Sequence, residues 1–290
     1  MPNLRMGCGN NMSANIFIII KVIILGIVEG ITEFLPVSST GHLIMFNNFL
    51  NFNGKFSDLF DIVIQLGAIL AVVVLFWDKL VESLKTVADP TFKSFGSRLW
   101  RNLIVAFIPS GVIGVLSHKY VEAHLMKVLP VSLALLVGGI FMILAENKFR
   151  RKNKTKDIRY VTLKQAFIIG CFQCLSVVWP GFSRSASTII GGWIVGLSTF
   201  AAAEFSFFLA IPTMFIATGY ELITNMSSIT GSQFLEIAIG FVVSFLVALL
   251  VVEKFMNFLK RRPMRIFAVY RILFSIVFLA LAATKIISVG

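Results

Sequence analysis

Six apolar runs of membrane-spanning length recur along this chain: Leu59 to Trp77, Leu99 to Leu116, Val131 to Ala145, Ala201 to Leu222, Phe234 to Val252 and Ile266 to Ala283. Lipid offers the backbone no hydrogen bonds, so such runs must close their own, and for runs of this length that means helices. A water-soluble globule is excluded. Of the 290 residues 57% are hydrophobic and 14% charged, with a mean hydropathy of +0.89 that no ordinary soluble domain carries.

Two further apolar segments, Ile16 to Leu50 and Leu163 to Leu197, are each broken near the middle, by Pro36 and by Pro180-Gly181. They are too long for one span and too interrupted for two. The opening Met1 to Asn15 has one arginine and no apolar core, which predicts no cleaved leader, with Met12 as an alternative start.

The net charge of +12 raises nucleic-acid binding, and the placement of the charge argues against it. Of the 26 basic residues, 18 lie in three connections, Lys79 to Arg101, Lys148 to Lys164 and Lys254 to Arg265. That clustering follows the positive-inside rule, so the expected partners are membrane lipids and no nucleic acid. Cys8, Cys171 and Cys174 form an odd set without an evident disulfide; Cys171 and Cys174, three apart in an apolar run, read as small packing residues.

Placing the three basic connections inside orients all six spans and leaves Asn225 to Ser232 outside, free of basic residues. The scheme closes only if both broken segments return to the side they entered from, the first from outside and the second from inside. The expectation is therefore an all-α polytopic membrane protein with six transmembrane helices and two re-entrant helical hairpins of opposite orientation. It forms a single transmembrane domain of two inverted repeats, residues 1–146 and 147–290. Shifting the chain by 144 residues lays Gly26-x-x-Glu29-x-Ile31-Thr32-x-x-x-Pro36-x-x-Ser39 on Gly170-x-x-Gln173-x-Leu175-Ser176-x-x-x-Pro180-x-x-Ser183. Inverted repeats with broken helices hold their ligand near the bilayer midplane.

Glu29 and Glu33 lie four apart, on one helix face. A charged acid at the bilayer centre costs roughly 2.5 to 3.5 kcal/mol, so the pair demands partners or a role. Two close carboxylates either share a proton, which makes an acid or base, or are bridged by a divalent cation. After Pro36, the run Val37-Ser38-Ser39-Thr40-Gly41-His42 reads as the start of a helix whose N-terminus points into the membrane, an anion cradle with hydroxyl donors. For Ser38, Ser39 and Thr40, helix capping competes with a direct role. The mirror segment, Pro180-Gly-Phe-Ser183-Arg184-Ser185-Ala186-Ser187-Thr188, repeats the pattern with an arginine whose planar fork suits phosphate oxygens. A salt bridge from Arg184 to Glu29 or Glu33 is the structural alternative, and the two roles can alternate with substrate. His118 and His124 are expected to be solvated in an outside loop. Gly26-x-x-x-Gly30 and Gly192-x-x-x-Gly196 are expected to allow close helix packing.

Glu29-Gly-Ile-Thr-Glu33-Phe-Leu-Pro-Val-Ser-Ser-Thr-Gly-His42 and Pro180-Gly-Phe-Ser-Arg-Ser185 closely resemble the two signature motifs of the BacA-type undecaprenyl diphosphate phosphatases. The resemblance covers essentially the whole chain. It implies a multi-pass enzyme of the bacterial plasma membrane that hydrolyses undecaprenyl diphosphate to undecaprenyl phosphate, recycles the lipid carrier of peptidoglycan synthesis and affects bacitracin resistance. Its active site would open to the outer face. It implies catalytic roles for Glu29, Glu33, Ser39, His42 and Arg184; beside them, Ser38, Thr40, Gln173, Ser183, Ser185 and Thr188 of the two mirror segments are expected to contact substrate. A divalent cation, Mg2+ or Ca2+, would be held by Glu29 and Glu33. A homodimer is compatible with everything above. Ala186 stands where the family pattern has glycine. On physical grounds alone, a transporter or flippase of polyprenyl phosphate fits inverted repeats equally well.

Overall fold

The computed structural model describes residues 6–151, 154–225 and 230–284. Among them there is no strand; the chain is a succession of helices joined by short turns. Six helices are long and apolar enough to cross a membrane, and they coincide with the six runs read from the sequence. They are α3 (Lys55–Leu75), α5 (Phe95–His124), α6 (Val128–Phe149), α9 (Thr199–Asn225), α10 (Gly231–Leu259) and α11 (Arg265–Ala283). This is an all-α polytopic membrane protein.

Each of the two interrupted segments is a helix, a short break and a second helix. The first pair is α1 (Met6–Thr32) and α2 (Ser39–Leu50); the second is α7 (Leu163–Val178) and α8 (Arg184–Ile194). The remaining α-helix, α4 (Trp77–Lys85), is a short one between α3 and α5, and a 3-10 turn, Ile158–Tyr160, precedes α7. Large apolar side chains on the outward faces of the spanning helices, such as Val115, Leu116, Leu144 and Leu250, remain exposed, as lipid-facing residues would.

Several boundaries differ from the sequence reading. Helix α1 begins at Met6, so the polar opening extends the first apolar segment. The side chains of Cys8 and Met12 lie outside the described residues, as do residues 226–229 of the outer connection. Helix α5 continues past Leu116 because nothing in Ser117 to Glu122 breaks a helix, so His118 and His124 are exposed on its last turns and not in a loop. Cys171 is exposed and Cys174 half-buried, and neither is in a disulfide.

The interrupted pairs are gripped by helices from distant parts of the chain. α1 packs along α10, α7 along α5, and α6 along α11. Gly26 and Gly30 let α1 approach α10: a Cβ at either would lie 2.7 Å from a backbone carbonyl, that of Gly240 or Ser244. The second glycine pair divides. Gly192 faces Ala202, whereas Gly196 lies beyond the end of α8 with φ of +86°, so it turns the chain and does not pack a helix.

Both breaks end on the same device. Ser38 and Ser183 are N-caps with φ of 73° and 76°, and each hydroxyl accepts from the backbone N–H three residues on, Gly41 and Ala186, at 3.2 Å. These caps are 145 residues apart, one more than the shift that aligns the preceding helices, because the second segment has one more residue between its proline and its cap, Pro180 to Ser183 against Pro36 to Ser38. Ser39 and Arg184 are therefore the structural counterparts, each the first residue of its helix.

Candidate active site

A cavity of about 350 Å³ opens between the two breaks, lined by Glu33, Ser38, Ser39 and Thr40 from one and by Gln173, Ser183 and Arg184 from the other. α3 adds Gln65 and α9 adds Thr213 and Met214. Glu33 joins the two sides. Its Oε2 accepts from Ser39 Oγ at 2.5 Å and its Oε1 from Arg184 Nη2 at 2.6 Å. The side chains in this ion pair are only 5% and 15% exposed. Charge-assisted hydrogen bonds in such a place are strong, and breaking the pair would strand a charge. Arg184 also donates to Ser206 O at 3.2 Å and lies over the Phe34 ring.

Backbone donors complete the cavity. The first three N–H groups of a helix have no intrahelical partner. At these helix starts, the N–H groups of Ser38, Ser39 and Thr40, and of Ser183, Arg184 and Ser185, donate to no group among the described residues. Residues from both helix starts and a guanidinium thus line one cavity, an arrangement suited to a multiply charged phosphate.

Glu29 lies one turn behind Glu33, fully buried, and neither of its oxygens has a hydrogen-bond partner among the described residues. The charged groups close enough to act on it are Glu33, Asp61 and Arg184. No group of three or more His, Cys, Asp or Glu side chains gathers as a metal site among the described residues. The orphaned carboxylate still fits a cation whose shell is completed by substrate, since Mg2+ commonly binds through one or two carboxylates and phosphate oxygens.

The other expected site residues divide. Ser38, Thr40, Gln173 and Ser183 line the cavity; Ser185 and Thr188 do not. Ser185 Oγ donates to Phe34 O at 2.9 Å, tying the second break to the first, and Thr188 Oγ1 donates to Ser206 Oγ at 2.7 Å. Gln173, the counterpart of Glu29, donates to Ser110 Oγ at 2.5 Å. His42, three residues after Ser39 on α2, is not among the residues that line the cavity. Its Nδ1 is 2.7 Å from Ser38 O, its Nε2 is 2.8 Å from the Tyr270 hydroxyl, and its ring stacks on Phe274 at 4.2 Å. Ala186 keeps its N–H on the cap, so alanine there leaves the cap intact.

Two residues escaped the sequence reading. Asp61 accepts from Asn47 Nδ2 at 2.6 Å behind Glu29, and Arg271 is fully buried on α11. Both are ionisable residues inside apolar runs, the signal that singled out the glutamate pair.

Fold and cavity together define a multi-pass membrane protein with an arginine, a carboxylate and two helix N-termini gathered between two helix breaks. The chain belongs to the family described as bacitracin resistance protein BacA, which matches residues 22–277. Among its relatives, the undecaprenyl-diphosphatase of Clostridium tetani (strain Massachusetts / E88) is 52% identical, over 94% of this chain and 99% of the relative. That of Clostridium novyi (strain NT) is 52% identical over the same shares. Undecaprenyl-diphosphatase 2 of Clostridium acetobutylicum is 47% identical over 96% of this chain and all of the relative.

Proposed function

We propose that this protein hydrolyses undecaprenyl diphosphate to undecaprenyl phosphate and inorganic phosphate, and in doing so recycles a cell-wall lipid carrier and confers bacitracin resistance. The observation that carries the chemistry is Glu33, which holds a hydroxyl on one oxygen and the arginine of the opposite break on the other. A hydroxyl within hydrogen-bond reach of a carboxylate that is itself oriented by a third group is the arrangement of an activated nucleophile.

The diphosphate enters the cavity with its prenyl tail between helices and lipid. Arg184 turns from Glu33 to the terminal phosphate, and the free N–H groups of both helix starts take the remaining oxygens. Ser39 Oγ attacks the terminal phosphorus as Glu33 takes its proton, and undecaprenyl phosphate leaves. Water then opens the phosphoserine, with Glu33 again handling the proton. A divalent cation, Mg2+ or Ca2+, bound by Glu29 with Glu33, would neutralise diphosphate charge. His42 holds α2 against α11 and acts on the reaction through Ser39. Ser185 and Thr188 serve in the same supporting way.

In this reading the two interrupted segments are re-entrant hairpins of an inverted repeat, 1–146 and 147–290, and the cavity faces the outer side of the bacterial plasma membrane. The packing of α1 on α10 and of α7 on α5 supports the repeat. The test is phosphate release from undecaprenyl diphosphate by the purified protein. Glu33→Gln and Arg184→Ala variants that still fold should lose nearly all of it. Full activity in both, or movement of lipid phosphate across liposomes with no phosphate released, would overturn the assignment.

A further inference from the structure

Arg271 is the most buried cation in the molecule's described interior, and it touches no carboxylate. It is 0% exposed and takes part in no ion pair. Its two Nη groups instead donate to backbone carbonyls drawn from three places, while Nε has no hydrogen-bond partner among the described residues. Nη1 donates to Pro36 O at 3.3 Å, in the first break. Nη2 lies 2.8 Å from Phe182 O and 3.1 Å from Gly181 O, in the second, and 3.5 Å from Ala134 O on α6. One side chain on the last helix therefore holds both breaks at once.

A buried, unpaired cation in lipid is costly, and a chain that keeps one has fitted its neighbours to it. Here α6 supplies the fit. A Cβ on Gly138 would lie 2.2 Å from Arg271 Nη2, so a larger residue there would move the guanidinium from its place.

The consequence for the cavity follows from peptide geometry. In a planar trans peptide the C=O and the next N–H point in opposite directions. Holding Phe182 O on Arg271 turns the Ser183 N–H away from it, and that N–H is one of the unpartnered donors at the start of α8. Holding Pro36 O fixes the following peptide, whose Val37 N–H closes a tight turn onto Leu35 O at 2.7 Å and sets the approach to Ser38. We infer that Arg271 is a positioning residue for phosphoryl transfer: by clamping the carbonyls of both breaks it sets the direction of the Ser183 N–H and fixes the two helix starts relative to each other. It also leaves an uncompensated positive charge behind the anion cradle. The inference rests on the phosphatase reading of that cradle.

The test compares Arg271→Lys, which keeps the charge and loses the planar fork, with Gly138→Ala, which keeps the arginine and takes its place. Both are measured by phosphate release from undecaprenyl diphosphate, by inhibition with orthovanadate, a mimic of the phosphoryl in transit, and by thermal unfolding. Losing donors aimed at developing charge lowers kcat and transition-state affinity together, by roughly tenfold to a hundredfold, and leaves KM nearly unchanged. A variant that is merely less stable would instead lose active protein with KM and vanadate affinity per folded molecule unchanged. That result, or wild-type kcat in both variants, would overturn the inference. If Glu33→Gln and Arg184→Ala are inactive while Arg271→Lys and Gly138→Ala are normal, the positioning role alone fails. If Glu33→Gln and Arg184→Ala are also active, the phosphatase reading of the site fails first.

Discussion

The two interrupted segments share a backbone and differ in chemistry. Each ends on a serine cap at positive φ, each leaves three N–H groups without partners, and each is held by Arg271. On this common frame the first residue of the new helix is Ser39 in one and Arg184 in the other, and the buried position before the break is Glu29 in one and Gln173 in the other. The frame alone would bind an anion. The difference makes one side an acid–hydroxyl pair and the other a charge clamp, and Glu33 is where they meet.

That division ranks the substitutions. The largest effect is expected at Glu33→Gln and Ser39→Ala, where loss of the base or the nucleophile should lower kcat by about 10³-fold or more in a phosphate-release assay. The serine on the other side, Ser183, is the cap that corresponds to Ser38, and Ser183→Ala should leave most of the activity. An equal loss there would erase the distinction between the two halves. Arg184→Ala comes next, at about 10²- to 10³-fold, the usual cost of removing a donor to developing charge. Arg184→Lys should recover only part of this, since an ammonium lacks the fork.

His42→Asn should be milder, roughly tenfold in kcat, because its ring touches Tyr270 and Phe274 and not the cavity, so its effect passes through the placement of α2. Tyr270→Phe should reproduce part of that loss; a normal Tyr270→Phe beside an inactive His42→Asn would put the histidine in the reaction itself. The smallest effects belong to the shared frame: Ser38→Ala and Ser183→Ala should each cost about 1 kcal/mol of stability, equally, as lost N-caps do. Thermal unfolding of the two variants would expose any asymmetry in the frame.

The six spanning helices were legible because hydrophobic run length is a direct consequence of bilayer thickness. The breaks were legible from Pro36 and Pro180. The one-residue slip between Ser38 and Ser183 was not, since Ser38 and Ser39 are adjacent and Ser183 aligns without a gap on Ser39, whereas its capping role matches Ser38. Glu33 and Arg184 were legible as costly charges in apolar surroundings, and their pairing was foreseen as an alternative to a phosphate-binding role. The position of His42 was not: three residues after Ser39 it is a neighbour of that residue on α2, and only the contacts to Tyr270 and Phe274 show that its ring is held outside the cavity lining. Arg271 carried the same signal as the glutamates and went unread because no motif surrounds it.

The central claim is that the two halves contribute to a single site through Glu33 and Arg184. A double-mutant cycle on kcat/KM with Glu33→Gln and Arg184→Ala tests it directly. Residues acting as one unit are strongly non-additive, so the double variant should be little worse than the worse single one, with a coupling energy of about 2 kcal/mol or more. Losses that add to within about 0.5 kcal/mol, as for independent sites, would contradict the account.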